Sequence, residues 1–329
     1  MKALVYVKEK KLEYKEVSEP SLKDGDVLIK IEAVGICGSD MHAFLGHDER
    51  RPAPLILGHE AAGEIIKGKN IGKRVTVNPL VSCNECLACK KGRNNICPKR
   101  QLISIPPREG AFSELLVIPQ TNVVDVPDHV NIDHAALTEP LACGWHAVRL
   151  GMKTLDIPIS DARCLIIGGG AIGVGVNLAL KAKGAKDITI IDSNPLRYKM
   201  LLENFSNETI CKEELDSDKN YDFIIDAVGY LKTREVASES CAPGGVIAHI
   251  GLGDGGGGLD IRKLTLQEIT FIGTYTYTPQ DFRETAKAIF DSQMGDFSWI
   301  EKRPLNQGQG AFMDILNGEV SASKIVLQP

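Results

Sequence analysis

Apolar and polar positions alternate over short runs through the first 137 residues. Val27, Ile29, Ile31 and Ala33 alternate with Leu28, Lys30 and Glu32, which predicts a half-buried strand. Further short runs at 75–77 and 115–118 are bounded by Gly, Pro or Asn, as expected of a mainly β domain with irregular loops. After residue 150 the pattern changes. Continuous apolar runs at 164–167, 188–191, 223–225, 246–250 and 269–272 read as buried strands. Between the first two, residues 171–183 have helical apolar spacing and stop at Gly184. Asn194-Pro195 reads as an N-cap followed by a proline at the first helical position. Apolar strands alternating with helices predict a parallel sheet covered on both faces. The stretch 201–210 reads as irregular, the glycine tract 255–258 as a flexible turn, and 280–290 as a final helix that leaves the sheet.

Composition narrows the class. The chain has 329 residues, of which 43% are hydrophobic and 25% charged, with a formal net charge of −5. That is enough chain for about two cores and excludes disorder. The mild acidity supplies no basic stripe for nucleic acid or an anionic membrane. The apolar part of the N-terminal stretch is too short for a signal-peptide core, and no run reads as a membrane span, so a reducing cytoplasm is the expected location. Nine cysteines are too sparse for a disulfide scaffold and odd in number, so their clustering carries more information than their count.

Gly168-Gly169-Gly170-Ala171-Ile172-Gly173 satisfies G-x-G-x-x-G, and it follows an apolar strand and opens a helix. In that setting Gly168 permits the tight turn, Gly170 admits a pyrophosphate and Gly173 lets helix pack on strand. Asp192 ends the next strand. A carboxylate there accepts ribose hydroxyls and repels a 2′-phosphate, which favours NAD over NADP, although Arg197 stands close by. Glycines 255–258 lack a following Lys-Ser/Thr and are not a phosphate loop.

Cys83, Cys86, Cys89 and Cys97 give C-x2-C-x2-C-x7-C. Four thiolates close a tetrahedral metal shell, leaving no position for substrate, so the expected role is structural zinc. An iron–sulfur cluster uses similar spacing, but nothing else in the chain points to electron transfer. A nucleic-acid-binding finger lacks its second ligand pair and a basic domain. Upstream, Cys37, His59 and Glu60 offer S, N and O donors from two separated loops. Singly these are ordinary core or surface residues. Beside a dinucleotide motif and a four-cysteine lobe they read as an open, catalytic metal site.

These motifs together resemble the medium-chain, zinc-dependent alcohol dehydrogenases, in particular the polyol (sorbitol) and threonine dehydrogenase-like branch. The carriers are GICGSDMH at 35–42, GHEAAG at 58–63, the four-cysteine lobe, EPLACGWHA at 139–147, GGGAIG at 168–173, IDSNPLR ending at Arg197, and the ending SKIVLQP. The resemblance implies an α/β fold: a GroES-like β domain, 1–137 and 280–329, plus a Rossmann doubly wound parallel-sheet domain, 138–279. It implies two zinc ions per chain, with Cys37, His59, Glu60 and Glu139 at the catalytic one. Glu139 acts directly or through water, and Cys143 is the weaker candidate for that position. Ser39 and His42 are expected to relay the substrate proton, with Asp40 orienting the metal shell from behind. Gly168, Gly170, Ala171, Ile172, Gly173, Asp192, Arg197, Val228, Ile250 and Leu252 are the expected NAD contacts. The implied reaction is reversible oxidation of a secondary alcohol of a polyol, sugar or sugar acid, with threonine or a small diol as the alternative substrate. Tyr275 and Tyr277 fall near where the family closes over substrate, although a core tyrosine is the plainer reading. The implied assembly is a homodimer or homotetramer. A zinc-free reductase on the same fold, or a catalytically silent NAD-binding protein, leaves Cys37, His59 and Glu60 unexplained. Cys143, Cys164, Cys211 and Cys241 need no special role.

Overall fold

A computed structural model describes residues 1–205, 208–210, 215 and 220–329; Cys211 lies outside the described residues. The alternation at the N-terminal end builds a seven-stranded sheet. The 123–125 strand starts it, followed by Arg74–Val77, Glu60–Lys67, Asp26–Gly35, Lys324–Gln328 and Ile300–Pro304. Leu115–Pro119 also pairs with Asp26–Gly35. That central strand is paired along both edges, so Leu28 is buried as well as Val27, Ile29 and Ile31. The core beneath it includes Phe44, Phe112 and Phe312. Phe312 stands 5.1 Å from Phe44 and 5.9 Å, edge-on, from Phe112.

The second sheet is wholly parallel. Its order is Glu208–Ile210, Asp187–Ile191, Arg163–Ile167, Tyr221–Asp226, Cys241–His249, Thr270–Gly273. Numbered by sequence within the sheet this is 3-2-1-4-5-6, the doubly wound dinucleotide-binding order, with its switch point between the first and fourth strands. The helix after the glycine motif runs Ala171–Ala182 and ends before Gly184, whose φ of +93° is in the left-handed region glycine tolerates. Asn194 caps the Pro195–Asn204 helix by accepting from Leu196 N and Arg197 N.

Two local expectations are corrected. The stretch 201–210 is ordered where it is described: the helix continues to Asn204 with Leu201 buried, and Glu208–Ile210 pairs in parallel with 189–191. Tertiary pairing overrides weak local propensity there. The glycine tract is also fixed, because buried Arg234 donates to the carbonyls of Gly256 and Gly257, at 2.5 and 2.6 Å, and pairs with Asp254.

The helix expected at 280–290 spans Pro279–Phe290 and packs on the Thr138–Met152 and Ile132–Ala136 helices; the chain rejoins the first sheet at Ile300. It is fastened through Asp281, which is fully buried. Its carboxylate accepts from His146 Nδ1 at 2.8 Å, from Arg149 Nε at 2.5 Å and Nη2 at 2.9 Å, and from Thr278 Oγ1 at 2.6 Å. Burial alone would raise the Asp281 pKa; these donors outweigh it and hold the carboxyl far below the usual carboxylate range. A depressed carboxylate stabilises the fold above the unfolded-state pKa of about 4 and loses that contribution as pH falls towards the folded value. Asp281→Asn should therefore cost about 2 kcal/mol at pH 7. The gap to the parent should narrow below about pH 4. Thermal melts between pH 7 and pH 3 check this; a gap that stays constant across the range rules out the ionised carboxylate as the source.

Candidate active site

Two groups of metal-ligating side chains gather in space, Cys37 with His59 and Glu60, and Cys83 with Cys86, Cys89 and Cys97. Cys37 ends the loop after the Asp26–Gly35 strand, and His59 and Glu60 open the Glu60–Lys67 strand beside it. One donor atom from each of Cys37, His59 and Glu60 lies within 4.8 Å of the others. Asp40 is fully buried behind them: it accepts from Cys37 N at 3.0 Å and Gly58 N at 3.1 Å, and its Oδ1 stands 3.6 Å from His59 Nδ1. His59 Nδ1 and Glu60 Oε2 are buried without a hydrogen-bond partner among the described residues, a state that costs free energy unless something else satisfies the site. Burial would lower the His59 pKa, but Asp40 and Cys37 outweigh it and hold it well above its ordinary value. The half-buried Cys37 thiol together with the buried His59 and Glu60 donors fits a divalent zinc ion.

Glu60 approaches the backbone closely: a Cβ on Gly35 would sit 2.0 Å from Glu60 Oε2, so only glycine leaves room for the carboxylate. Its other oxygen, Oε1, accepts from Lys324 Nζ at 2.7 Å, and the same ammonium donates to Ile36 O at 2.7 Å. Burial opposes the Lys324 charge, but Glu60 and Cys37 more than offset it and raise its pKa. Lys324 is a site residue to which sequence reasoning assigns no role. Its signal is a lysine inside the apolar run of SKIVLQP, at a position only 4% exposed.

Glu139 is not part of the three-donor set. It opens the Thr138–Met152 helix, and its Oε1 accepts from the Tyr277 hydroxyl at 2.8 Å. Burial pushes its carboxyl up to about 7. Cys143 lies one turn further along the same helix, buried with Ala142, Tyr277 and Phe282, and also outside the donor set. Ser39 and His42 share one face of the Gly38–Phe44 helix at i, i+3. Ser39 is half-buried and His42 exposed, and neither lines the cleft that joins Cys37 to the dinucleotide motif.

The four-cysteine lobe is compact. Cys97 and Cys83 sulfurs are 3.4 Å apart, Cys86 and Cys89 3.5 Å, and Cys83 and Cys89 4.0 Å. Four thiolates at about 2.3 Å from one tetrahedral zinc have edges of about 3.8 Å, so the spacing matches a single ion. Backbone amides of Glu85 and Cys86 draw the Cys83 thiol down to about 6, a thiolate at neutral pH.

A cleft of 490 Å³ joins Cys37 and Glu60 to the dinucleotide motif. Cys37, Met41 and Glu60 line one end, and Gly168, Gly170, Ala171, Ile172, Gly173, Asp192, Arg197 and Val228 line the rest. A Cβ on Gly173 would meet Gly168 O at 1.8 Å, which makes the last glycine of the motif obligatory. Asp192 Oδ2 accepts from Gly169 N at 2.7 Å and from Arg197 Nη1 at 3.2 Å. Ile250 and Leu252 do not line this cleft. Ile250 packs against the Tyr277–Cys143 cluster, and Leu252 is 75% exposed. Ser323 Oγ donates to Gly169 O at 2.8 Å and ties the C-terminal return segment to the motif, a contact with no local sequence signal.

The family models agree with this architecture. One described as "Alcohol dehydrogenase GroES-like domain" matches residues 23–128, and one described as "Zinc-binding dehydrogenase" matches residues 171–291. L-galactonate-5-dehydrogenase of Escherichia coli (strain K12) is 32% identical over 89% of this chain and 88% of its own length. Sorbitol dehydrogenase of Bacillus subtilis (strain 168) is 31% identical over 100% of this chain and 97% of its own. The crystal structure of galactitol-1-phosphate dehydrogenase from Escherichia coli superposes with a TM-score of 0.89 at 25% identity, covering 100% of both chains. The chain belongs to the zinc-dependent medium-chain alcohol dehydrogenase family, with a GroES-like domain and a Rossmann-type domain. It is an oxidoreductase of the alcohol dehydrogenase type. No helix among the described residues is long and apolar enough to cross a membrane.

Proposed function

We propose that the protein reversibly oxidises a secondary alcohol of a polyol, sugar or sugar acid to the ketone, with NAD. The observation that carries this reading is the single cleft lined at one end by Cys37 and Glu60 and along its length by the Gly168–Gly173 motif and Asp192. An alcohol at the first end and a nicotinamide extending from the second would share this one cleft. The relatives that act on L-galactonate and sorbitol support the substrate class.

Cys37, His59 and Glu60 would hold the catalytic ion, and Cys83, Cys86, Cys89 and Cys97 the structural one. Zinc at the first site supplies Lewis acidity towards a substrate hydroxyl. NAD supplies the hydride acceptor. The chain's own residues do the rest. Ser39 accepts the hydroxyl proton and passes its own outwards to His42, which faces solvent. The amides opening the Ala171–Ala182 helix seat the pyrophosphate, and Asp192 faces the adenosine ribose. Arg197 donates Nη1 to Asp192 at 3.2 Å, so the two charges offset each other beside the ribose site. Lys324 pairs with Glu60 and holds it in place. Thr270–Gly273 is an edge strand with Phe271 36% exposed and Leu266 68% exposed nearby, which supports a homodimer or homotetramer.

Reduction of NAD, with NADP in parallel, is to be measured against polyols and sugar acids, with threonine and 2,3-butanediol as further arms. Turnover should appear with a polyol, sugar or sugar acid, with NADP at least about tenfold poorer, as an unfavourable charge contact worth about 1.4 kcal/mol implies. Turnover confined to threonine or the diol overturns the substrate class, and equal use of NADP overturns the role of Asp192.

A further inference from the structure

Glu139 is a buried carboxylate next to a three-donor metal site but outside it, so something must decide where its oxygens point. Tyr277 is the group in contact with it. The side chain is 2% exposed, its hydroxyl donates to Glu139 Oε1 at 2.8 Å, and its ring packs 5.5 Å from Phe282 beside Cys143. The residue before it, Thr276, has φ of +45°, in the left-handed region that a β-branched residue adopts only when its surroundings force it.

The force comes from two sides. Buried Asn95, in the short turn between Cys89 and Cys97, donates Nδ2 to Tyr275 O at 2.8 Å. Arg100, just past Cys97, lays its guanidinium 5.0 Å over the Tyr275 ring. On the other side Thr274 N and Oγ1 both donate to His249 O, and Thr278 caps the next helix through Asp281. The turn is therefore clamped from the four-cysteine lobe and from the parallel sheet at once. Its product is the fixed height of one phenol above Glu139.

We propose that Tyr277 is a positioning residue for the dehydrogenase reaction. Its hydroxyl sets the Glu139 carboxylate beside Cys37, His59 and Glu60, and the structural lobe sets Tyr277 through Asn95. This rests on the proposed catalytic metal site. The four-cysteine lobe, 83–97, thereby aligns the active site from outside as well as folding its own loop.

The experiment uses the full-length enzyme with cobalt replacing zinc at the catalytic site. Tyr277→Phe keeps the ring and removes the hydrogen bond. The visible absorption of the cobalt enzyme, recorded without substrate, should shift in position or intensity. In the zinc enzyme kcat/KM for the alcohol should fall about 10–100-fold, the range for removing a partner that orients a metal-site group, with KM for NAD changed less than about twofold. In a Glu139→Ala background the same substitution should change kcat/KM by less than about twofold, because its target is gone. Asn95→Ala should move the cobalt spectrum in the same direction, and it decides the matter if Tyr277→Phe does not fold. An unchanged cobalt spectrum, or an undiminished effect without Glu139, overturns the proposal and leaves Tyr277 a packing residue. Because the cobalt readout needs no substrate, it stands apart from the assignment of the alcohol.

Discussion

A Cys37→Ala variant should retain one zinc per chain instead of two, and its alcohol turnover should fall by at least about a thousand-fold. The magnitude follows from the several kcal/mol of charge stabilisation a metal supplies to a reacting oxygen, at 1.36 kcal/mol per tenfold in rate. The reason for choosing Cys37 is its position. It is only half-buried, on the loop that leads into the Gly38–Phe44 helix, and it lines the cleft. Its removal leaves the sheet strands on either side paired as before. The far-ultraviolet circular dichroism should match the parent, and NAD should still quench intrinsic fluorescence at a similar concentration. Two zinc ions per chain in an inactive Cys37→Ala protein would show that the activity was lost for another reason.

A Cys86→Ala variant should fail in the opposite way. Structural zinc in small peptides contributes apparent binding free energies of about 10–16 kcal/mol, and the loop 83–97 has little else to fold around. Beyond the backbone bonds of its short turns, its side-chain ties include Asn94 to Ser82 and Asn84 and an exposed Lys99–Glu85 pair. The melting temperature should drop by on the order of 10 °C. The protein should aggregate on standing, and residual activity should track the folded fraction. Metal analysis with differential scanning calorimetry checks both points. A variant that keeps two zinc ions and the parent melting temperature would remove the case for a four-thiolate site. If iron were found in the parent, both zinc assignments would fall together.

What the sequence made legible was local. Four cysteines within 83–97 and the Gly168–Gly173 motif each bring their chemistry together through a few turns of chain, so spacing alone is informative. The Asn194-Pro195 start and the Gly184 stop are equally local, and both hold in the structure. The pairings that finish the site are not local. Lys324 reaches Glu60 across 264 residues, Tyr277 reaches Glu139 across 138, and Ser323 reaches Gly169 across 154. Each partner has an ordinary neighbourhood in sequence, and only the folded sheets bring them together. The stretch 201–210 defeats local reading for a related reason. Its strand is fixed by parallel pairing with 189–191, which its own short run of residues does not announce. Leu252, a cofactor contact by resemblance, is exposed and outside the cleft lining.

The seven-stranded sheet has an order of construction built into it. Lys324–Gln328 lies between Asp26–Gly35 and Ile300–Pro304, and Lys324 Nζ is bonded to Ile36 O, 288 residues away. During synthesis at about 5–20 residues per second, the loop carrying Cys37 and the strand carrying Glu60 leave the ribosome well before the lysine that balances Glu60. The parallel sheet between them can assemble first, from neighbours in sequence. The metal pocket is therefore among the last parts of the molecule to acquire its full complement of charges, although some of its ligands are among the earliest residues made. Contacts this distant close slowly, so refolding from denaturant should restore the parallel sheet before the metal pocket.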